Sequence, residues 1–98
     1  MNYEDYKRRD LRLIILKSLA KHPGYQANSN VLAMEAEAFG HAVSRDVINT
    51  EIRKLSELGA LTLREAGSVL VATLSLRGLE HVQAKTVIDG VLQPSPGV

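Results

Sequence analysis

The chain has 98 residues, of which 45% are hydrophobic, a formal net charge of +1 and no cysteine. This length accommodates one domain, and the lack of thiols excludes disulfides, thiolate zinc sites and cysteine nucleophiles. A charge this close to neutral is below the basic excess typical of nucleic-acid-binding proteins.

The first predicted helix covers residues 4–21. Its apolar residues recur at three- and four-residue spacing, at Leu11, Ile14, Ile15 and Leu19. Leu13 and Leu16 widen this stripe around most of the helix, which indicates packing on more than one side. Pro23 and Gly24 then end the helix.

No targeting or membrane segment is evident in the sequence. The start, MNYEDYKRRD, is charged and lacks the apolar core of a signal peptide. The longest apolar run, LIIL, is far shorter than the roughly 20 residues that cross a bilayer. We therefore expect a cytoplasmic protein without a membrane partner.

Two further helices are predicted from their caps and periodicity. Residues 28–30, NSN, offer cap oxygens to a helix over about residues 31–39. Ser44 caps a third helix, residues 44–58, which ends before Gly59. One face of this helix is apolar, with Ile48, Ile52, Leu55 and Leu58. The opposite face carries Asp46, Asn49, Thr50, Arg53 and Glu57.

A β-hairpin and a last helix follow. Leu61 and Leu63 alternate with polar residues, as in a half-buried strand. After the turn EAGS, the segment VLVATL predicts a second strand, so the hairpin covers residues 61–74. Ser75 caps a helix through about Lys85, in which Gly78 is expected to cost roughly 1 kcal/mol relative to alanine.

The sequence of the tail, residues 86–98, predicts an apolar segment followed by a flexible end. Asp89-Gly90 predicts a tight hairpin turn, and PSPGV a disordered end. Together with the apolar first helix, the tail predicts a homodimer. The expected interface residues are Leu13, Leu16, Val87, Ile88, Val91 and Leu92. In the alternative, the tail packs on its own first helix.

The order helix, helix, helix, hairpin, helix resembles a winged helix-turn-helix, a mainly α fold with a β-hairpin wing. The stretches VLAMEAEAFG, VSRDVINTEIRKLSELGAL and ATLSLRGLEHV carry the resemblance. It implies a winged-helix domain over residues 1–85. The segment between Ala33 and Ser44 is longer than in the compact motif, which leaves the angle between the two motif helices open.

A more specific resemblance extends into the tail. NVLAMEAEAFGHAVSRDVINTEIRKLSELGAL and LSLRGLEHVQAKTVIDGVLQPSPG are similar to small winged-helix proteins encoded by Mu-like phages and prophages. Members of that group are described as phage proteins or transcriptional regulators. The resemblance therefore implies a phage setting, with other phage proteins as possible partners.

The expected function is binding of double-stranded DNA, as in transcription regulation, with the third helix in the major groove. Arginine suits guanine and asparagine suits adenine, while hydroxyl groups suit phosphates. The candidate DNA-binding residues are Ser44, Arg45, Asn49, Thr50, Arg53 and Arg64. Asp46 would repel phosphate unless it pairs with Arg45 or Arg53 or accepts a hydrogen bond from cytosine. A basic run near the start could add phosphate contacts through Lys7, Arg8, Arg9 and Arg12.

The alternative is a protein-interaction module in phage assembly or DNA packaging, in which these polar residues form an ordinary solvated face.

The sequence contains no recognisable catalytic motif or metal-binding spacing. His22, His41 and His81 lack metal-ligand spacing and are expected in loops or at the surface. Glu35 and Glu37 point in different directions on a helix, and no catalytic motif appears. We expect no enzymatic activity, no metal and no cofactor.

Overall fold

The structure is a computed structural model that describes residues 1–95. Within them the helices are α1 (Tyr3–Lys21), α2 (Ser29–Ala38), α3 (Arg45–Glu57) and α4 (Leu76–Val82), with a 3₁₀ turn at Pro23–Tyr25. The strands are β1 (Gln26–Asn28), β2 (Leu61–Ala66) and β3 (Val69–Leu74). The fold is thus mixed α/β, with four α-helices and one antiparallel sheet in the described residues, an arrangement compatible with a winged-helix-like fold. No helix in this range is long and apolar enough to cross a membrane.

The sheet contains a strand that the sequence did not predict. Its order is β1-β3-β2, with Ala72 of β3 placed between Ala27 and Leu63. The predicted hairpin is therefore part of a three-stranded sheet. A strand of three residues is too short to show an alternating pattern, and β1 forms because β3 offers it a partner.

The predicted helix caps are confirmed. Asn28 Oδ1 accepts a hydrogen bond from the Val31 amide at 2.9 Å, and Ser44 Oγ accepts one from Val47 at 3.2 Å. Ser75 Oγ accepts one from Gly78 at 3.0 Å. Each cap satisfies an amide that has no partner within its helix. The last helix ends at Val82, three residues earlier than predicted.

One core holds the elements together, and α1 lies at its centre. This helix contacts α2, α3, α4 and β3, which explains why it is apolar on most sides. The side chains that are fully buried include Ile15, Leu16, Leu19, Leu32, Ile48, Ile52, Leu55 and Ile88.

The tail packs on the first helix of its own chain. Asp89-Gly90 forms a turn, but the predicted strands on either side are wrong. Ile88 and Val91 are buried in the core, and the Leu92 amide donates to the Arg9 carbonyl at 3.1 Å. Core residues therefore continue beyond position 85. Most of the predicted flexible end, residues 96–98, lies outside the described range.

The residues predicted for a dimer interface are mostly unavailable. Leu13, Leu16, Ile88 and Val91 are buried within the monomer, and Leu92 is half-buried. Val87 is exposed. These buried side chains belong to the monomer core, and a dimer built on them would require that core to open. The homodimer itself stays a prediction.

His81 anchors the tail, contrary to its predicted surface position. Its ring is fully buried, Nδ1 accepts from the Ile88 amide at 3.1 Å, and Nε2 donates to the Leu92 carbonyl at 2.9 Å. His41 is also buried, with Nε2 at 2.8 Å from Asp10 Oδ2. Both histidines therefore serve packing between elements.

Replacing His81 by phenylalanine is expected to lower the free energy of unfolding by about 1–3 kcal/mol, because the Ile88 amide and Leu92 carbonyl would lose their partner. Urea unfolding measures this loss. Gln83→Ala, at an exposed position just beyond α4, should change stability by about 0.5 kcal/mol or less. Equal stability of His81→Phe and the wild type would contradict the anchoring role.

Candidate nucleic-acid interface

The exposed face of α3 is the candidate interface that the sequence predicts. Ile48, Ile52 and Leu55 are fully buried, so the opposite face must point to solvent. Arg45, Thr50 and Arg53 are exposed on it. The helix packs on the core mainly through its apolar side, and Arg45, Thr50 and Arg53 lie outside that core.

Two arginines of α3 contact the β2–β3 hairpin. Arg45 Nη2 donates to the Ser68 carbonyl at 3.3 Å, and Arg53 Nη2 lies 3.4 Å from Glu65 Oε1. Both distances are long for hydrogen bonds, and both contacts are exposed to solvent. The arginines thus lie along the line where α3 meets the hairpin, which we call the seam.

Asn49 lies on the same ridge of α3, one turn from each of these arginines. It is half-buried, and its Oδ1 atom is buried without a hydrogen-bond partner among residues 1–95. Because residues four apart stack along a helix, Asn49 faces the seam together with Arg45 and Arg53. Buried polar atoms usually have a hydrogen-bond partner, so the Asn49 side-chain oxygen is an exception in the candidate site.

Ser44 and Arg64 occupy less direct positions. The Ser44 hydroxyl oxygen caps α3, although its proton remains available as a donor. Arg64 is exposed on β2. Since side chains alternate along a strand, Arg64 points to the face opposite Glu65 and therefore away from Arg53. The structure brings the α3 residues together and leaves Arg64 apart from them.

Asp46 stands exposed in the first turn of α3. It forms no ion pair within residues 1–95, and the two arginines expected to pair with it, Arg45 and Arg53, contact the hairpin instead. Its position near the amino end of the helix is favourable for a carboxylate. The helix therefore presents one uncompensated negative charge beside its exposed bases.

A groove runs between α1 and α3. Its volume is about 520 Å³, and it is lined by Arg8, Arg12, Asp46, Val47, Thr50, Glu51 and Lys54. At its floor, Arg12 Nε donates to Glu51 Oε1 at 2.6 Å, while Arg12 Nη1 donates to the Gly90 carbonyl at 2.9 Å. Both side chains are nearly buried, with 12% and 7% exposed.

The basic residues predicted to contact phosphate near the start of the chain differ in their surroundings. Arg12 is committed to Glu51 and Gly90, so its predicted phosphate contact is wrong. Lys7 and Arg8 are exposed, but they lie 4.0 and 3.8 Å from Glu4 and Asp5. This end of α1 is a mixed-charge surface.

Comparison with known proteins places the chain among phage-related sequences. It is 36% identical over 87 residues to the protein gp26 of Escherichia phage Mu, which is described as uncharacterized, and the alignment covers 89% of this chain and 90% of the phage protein. The chain belongs to the family of the phage Mu gp26 protein. It is also 32% identical over 80 residues to an uncharacterized protein of Haemophilus influenzae, covering 81% of this chain and 78% of that protein.

The predicted relationship to Mu-like phages is therefore confirmed. No protein-family model matches the chain, and no solved structure matches it.

Sequence reasoning missed Glu65 and Glu51 as partners of the arginines. Glu65 follows Arg53 by 12 positions, and Glu51 follows Arg12 by 39. The sequence carries one hint for Glu51, which lies at the edge of the apolar face of α3 where a charge needs a partner. Nothing in the sequence points to Glu65.

Proposed function

We propose that this protein binds double-stranded DNA through α3 and the adjacent β2–β3 hairpin, as a winged helix does, and acts as a transcriptional regulator in phage growth. The observation that carries the proposal is the exposure of Arg45, Thr50 and Arg53 on a helix whose other face is fully buried. A helix of this kind fits the width of the major groove.

Charge limits the strength of such binding. The exposed bases of α3 and the hairpin are Arg45, Arg53, Lys54 and Arg64, and the exposed acids are Asp46, Glu57 and Glu65. One net positive charge remains, so we expect few phosphate contacts. The affinity should fall with salt, by about 0.9 power of the salt concentration for each contact.

Titration of a random duplex with wild-type protein and with Arg45→Ala/Arg53→Ala, at several salt concentrations, tests the proposal. The double substitution is expected to weaken binding about tenfold or more and to lower the salt exponent by about 1.8, because two contacts are lost. Lys21→Ala/Lys85→Ala is the matched control, since it removes two exposed charges outside α3 and the hairpin. Equal, weak binding by all three proteins would refute the proposal.

A second candidate is a protein-interaction module in phage assembly or DNA packaging, and the groove between α1 and α3 favours it. Val47 lines this groove and is 40% exposed, and Val43, which lines an adjoining pocket together with Val47, is 38% exposed. Side chains of both signs surround them. Apolar side chains ringed by mixed charge suit a protein segment better than a polyanion. Val47→Gln should then weaken partner binding, whereas DNA binding through the seam should change little, because this substitution adds no charge.

A further inference from the structure

Glu65 is the acidic residue closest to the candidate DNA-contacting arginines. Its Oε1 atom lies 3.4 Å from Arg53 Nη2, and the two side chains are 71% and 53% exposed. We infer that Glu65 takes the place of a DNA phosphate on Arg53 when DNA is absent, and so lowers the affinity for DNA. This inference rests on the proposed function and adds an autoinhibitory contact to it.

The other exposed acids of this surface do not occupy such a position. Glu57 lies 4.0 Å from Lys54, and Asp46 contacts none of the bases in the described chain. Arg45 contacts a backbone carbonyl, which carries no net charge. Among residues 1–95, Glu65 is thus the one carboxylate paired with a candidate DNA-contacting arginine of α3 or the hairpin.

The exposure of the pair makes exchange with DNA feasible. Solvent-exposed ion pairs are weak, because water screens them and two side chains must be ordered. A phosphate group can accept two parallel hydrogen bonds from one guanidinium. The single long contact of Glu65 should therefore give way to a phosphate, at a modest cost in affinity.

Glu65→Gln tests the inference by removing the charge while keeping the shape. In titrations of a random duplex over a range of salt, its affinity should exceed that of the wild type by about two- to fivefold. The salt exponent should stay nearly unchanged, because Arg53 contacts a phosphate in the complexes of both proteins and only the free state differs. Glu37→Gln, at an exposed position of α2, removes the same charge elsewhere and should change the affinity less than about twofold.

Three further measurements distinguish failure of this inference from failure of the proposed function. In the Arg53→Ala background, Glu65→Gln should bring no gain, since the inhibited arginine is gone. A gain that persists there would show plain repulsion between Glu65 and DNA, and would overturn the inference. Identical binding by Glu65→Gln and Glu37→Gln would also overturn it, while salt-dependent binding by the wild type would leave the proposed function intact. If the wild type fails to bind DNA at low salt, both fail.

Discussion

Replacing Arg12 by methionine is expected to lower the free energy of unfolding by about 3–5 kcal/mol, because the Glu51 carboxylate would remain buried without its partner. Glu51 is 7% exposed and accepts the Arg12 hydrogen bond at 2.6 Å. Arg12 also joins α1 to the tail through the Gly90 carbonyl. Since small domains are stable by only about 5–15 kcal/mol, this is a large fraction of the total. Guanidinium unfolding monitored by circular dichroism measures it.

The double substitution Arg12→Met/Glu51→Met distinguishes an unpaired charge from lost packing. It should recover most of the stability, because no buried charge is left. A deficit of about 0.5–1.5 kcal/mol should remain from the missing bond to Gly90. Lys7→Met, which breaks the exposed pair with Glu4, should cost about 1 kcal/mol or less. A double variant as unstable as Arg12→Met would contradict this explanation.

Replacing Gly78 by alanine is expected to lower the free energy of unfolding by about 2–3 kcal/mol, although alanine is the better helix former. A Cβ atom at this position would overlap the Ala60 carbonyl oxygen and lie 2.7 Å from Leu74 Cδ1. The same Ala60 carbonyl accepts a hydrogen bond from the Ser75 amide at 3.1 Å. The start of α4 cannot move away without losing that bond.

Urea unfolding of Gly78→Ala beside Leu76→Ala tests this expectation. Leu76 is 71% exposed on the same helix, so its replacement should change stability by about 0.5 kcal/mol or less. The helix-propensity argument from sequence predicts the opposite result, a gain of roughly 1 kcal/mol for Gly78→Ala. A variant as stable as the wild type would show that the close contact relaxes without cost.

The α3 helix shows how far local sequence information extends. Ser44 at its start, the apolar ridge of Ile48 and Ile52, and Gly59 after its end all have the predicted positions. Caps and helix periodicity depend on residues within a few positions of one another, so they can be identified in one chain. The exposure of Arg45, Thr50 and Arg53 follows from the same periodicity.

Contacts between distant parts of the chain account for the errors. The strand β1 depends on β3, more than 40 residues later, and His81 became buried because the tail folds back on it. The tail contains apolar residues that must be buried, and the sequence left open whether they pack on a second subunit or on α1. In the structure, they pack on α1.

By itself, the sequence determined the helices, their caps, the hairpin and the polar face of α3, because each arises from interactions between near neighbours. Tertiary structure alone decided that Gly78 must lack a side chain, that Arg12 pairs with Glu51 and that Arg53 meets Glu65. Those outcomes depend on which surfaces come within contact distance after folding. Burial then changes the energetics, because a methyl group or a charge that water tolerates becomes costly where no space or partner exists.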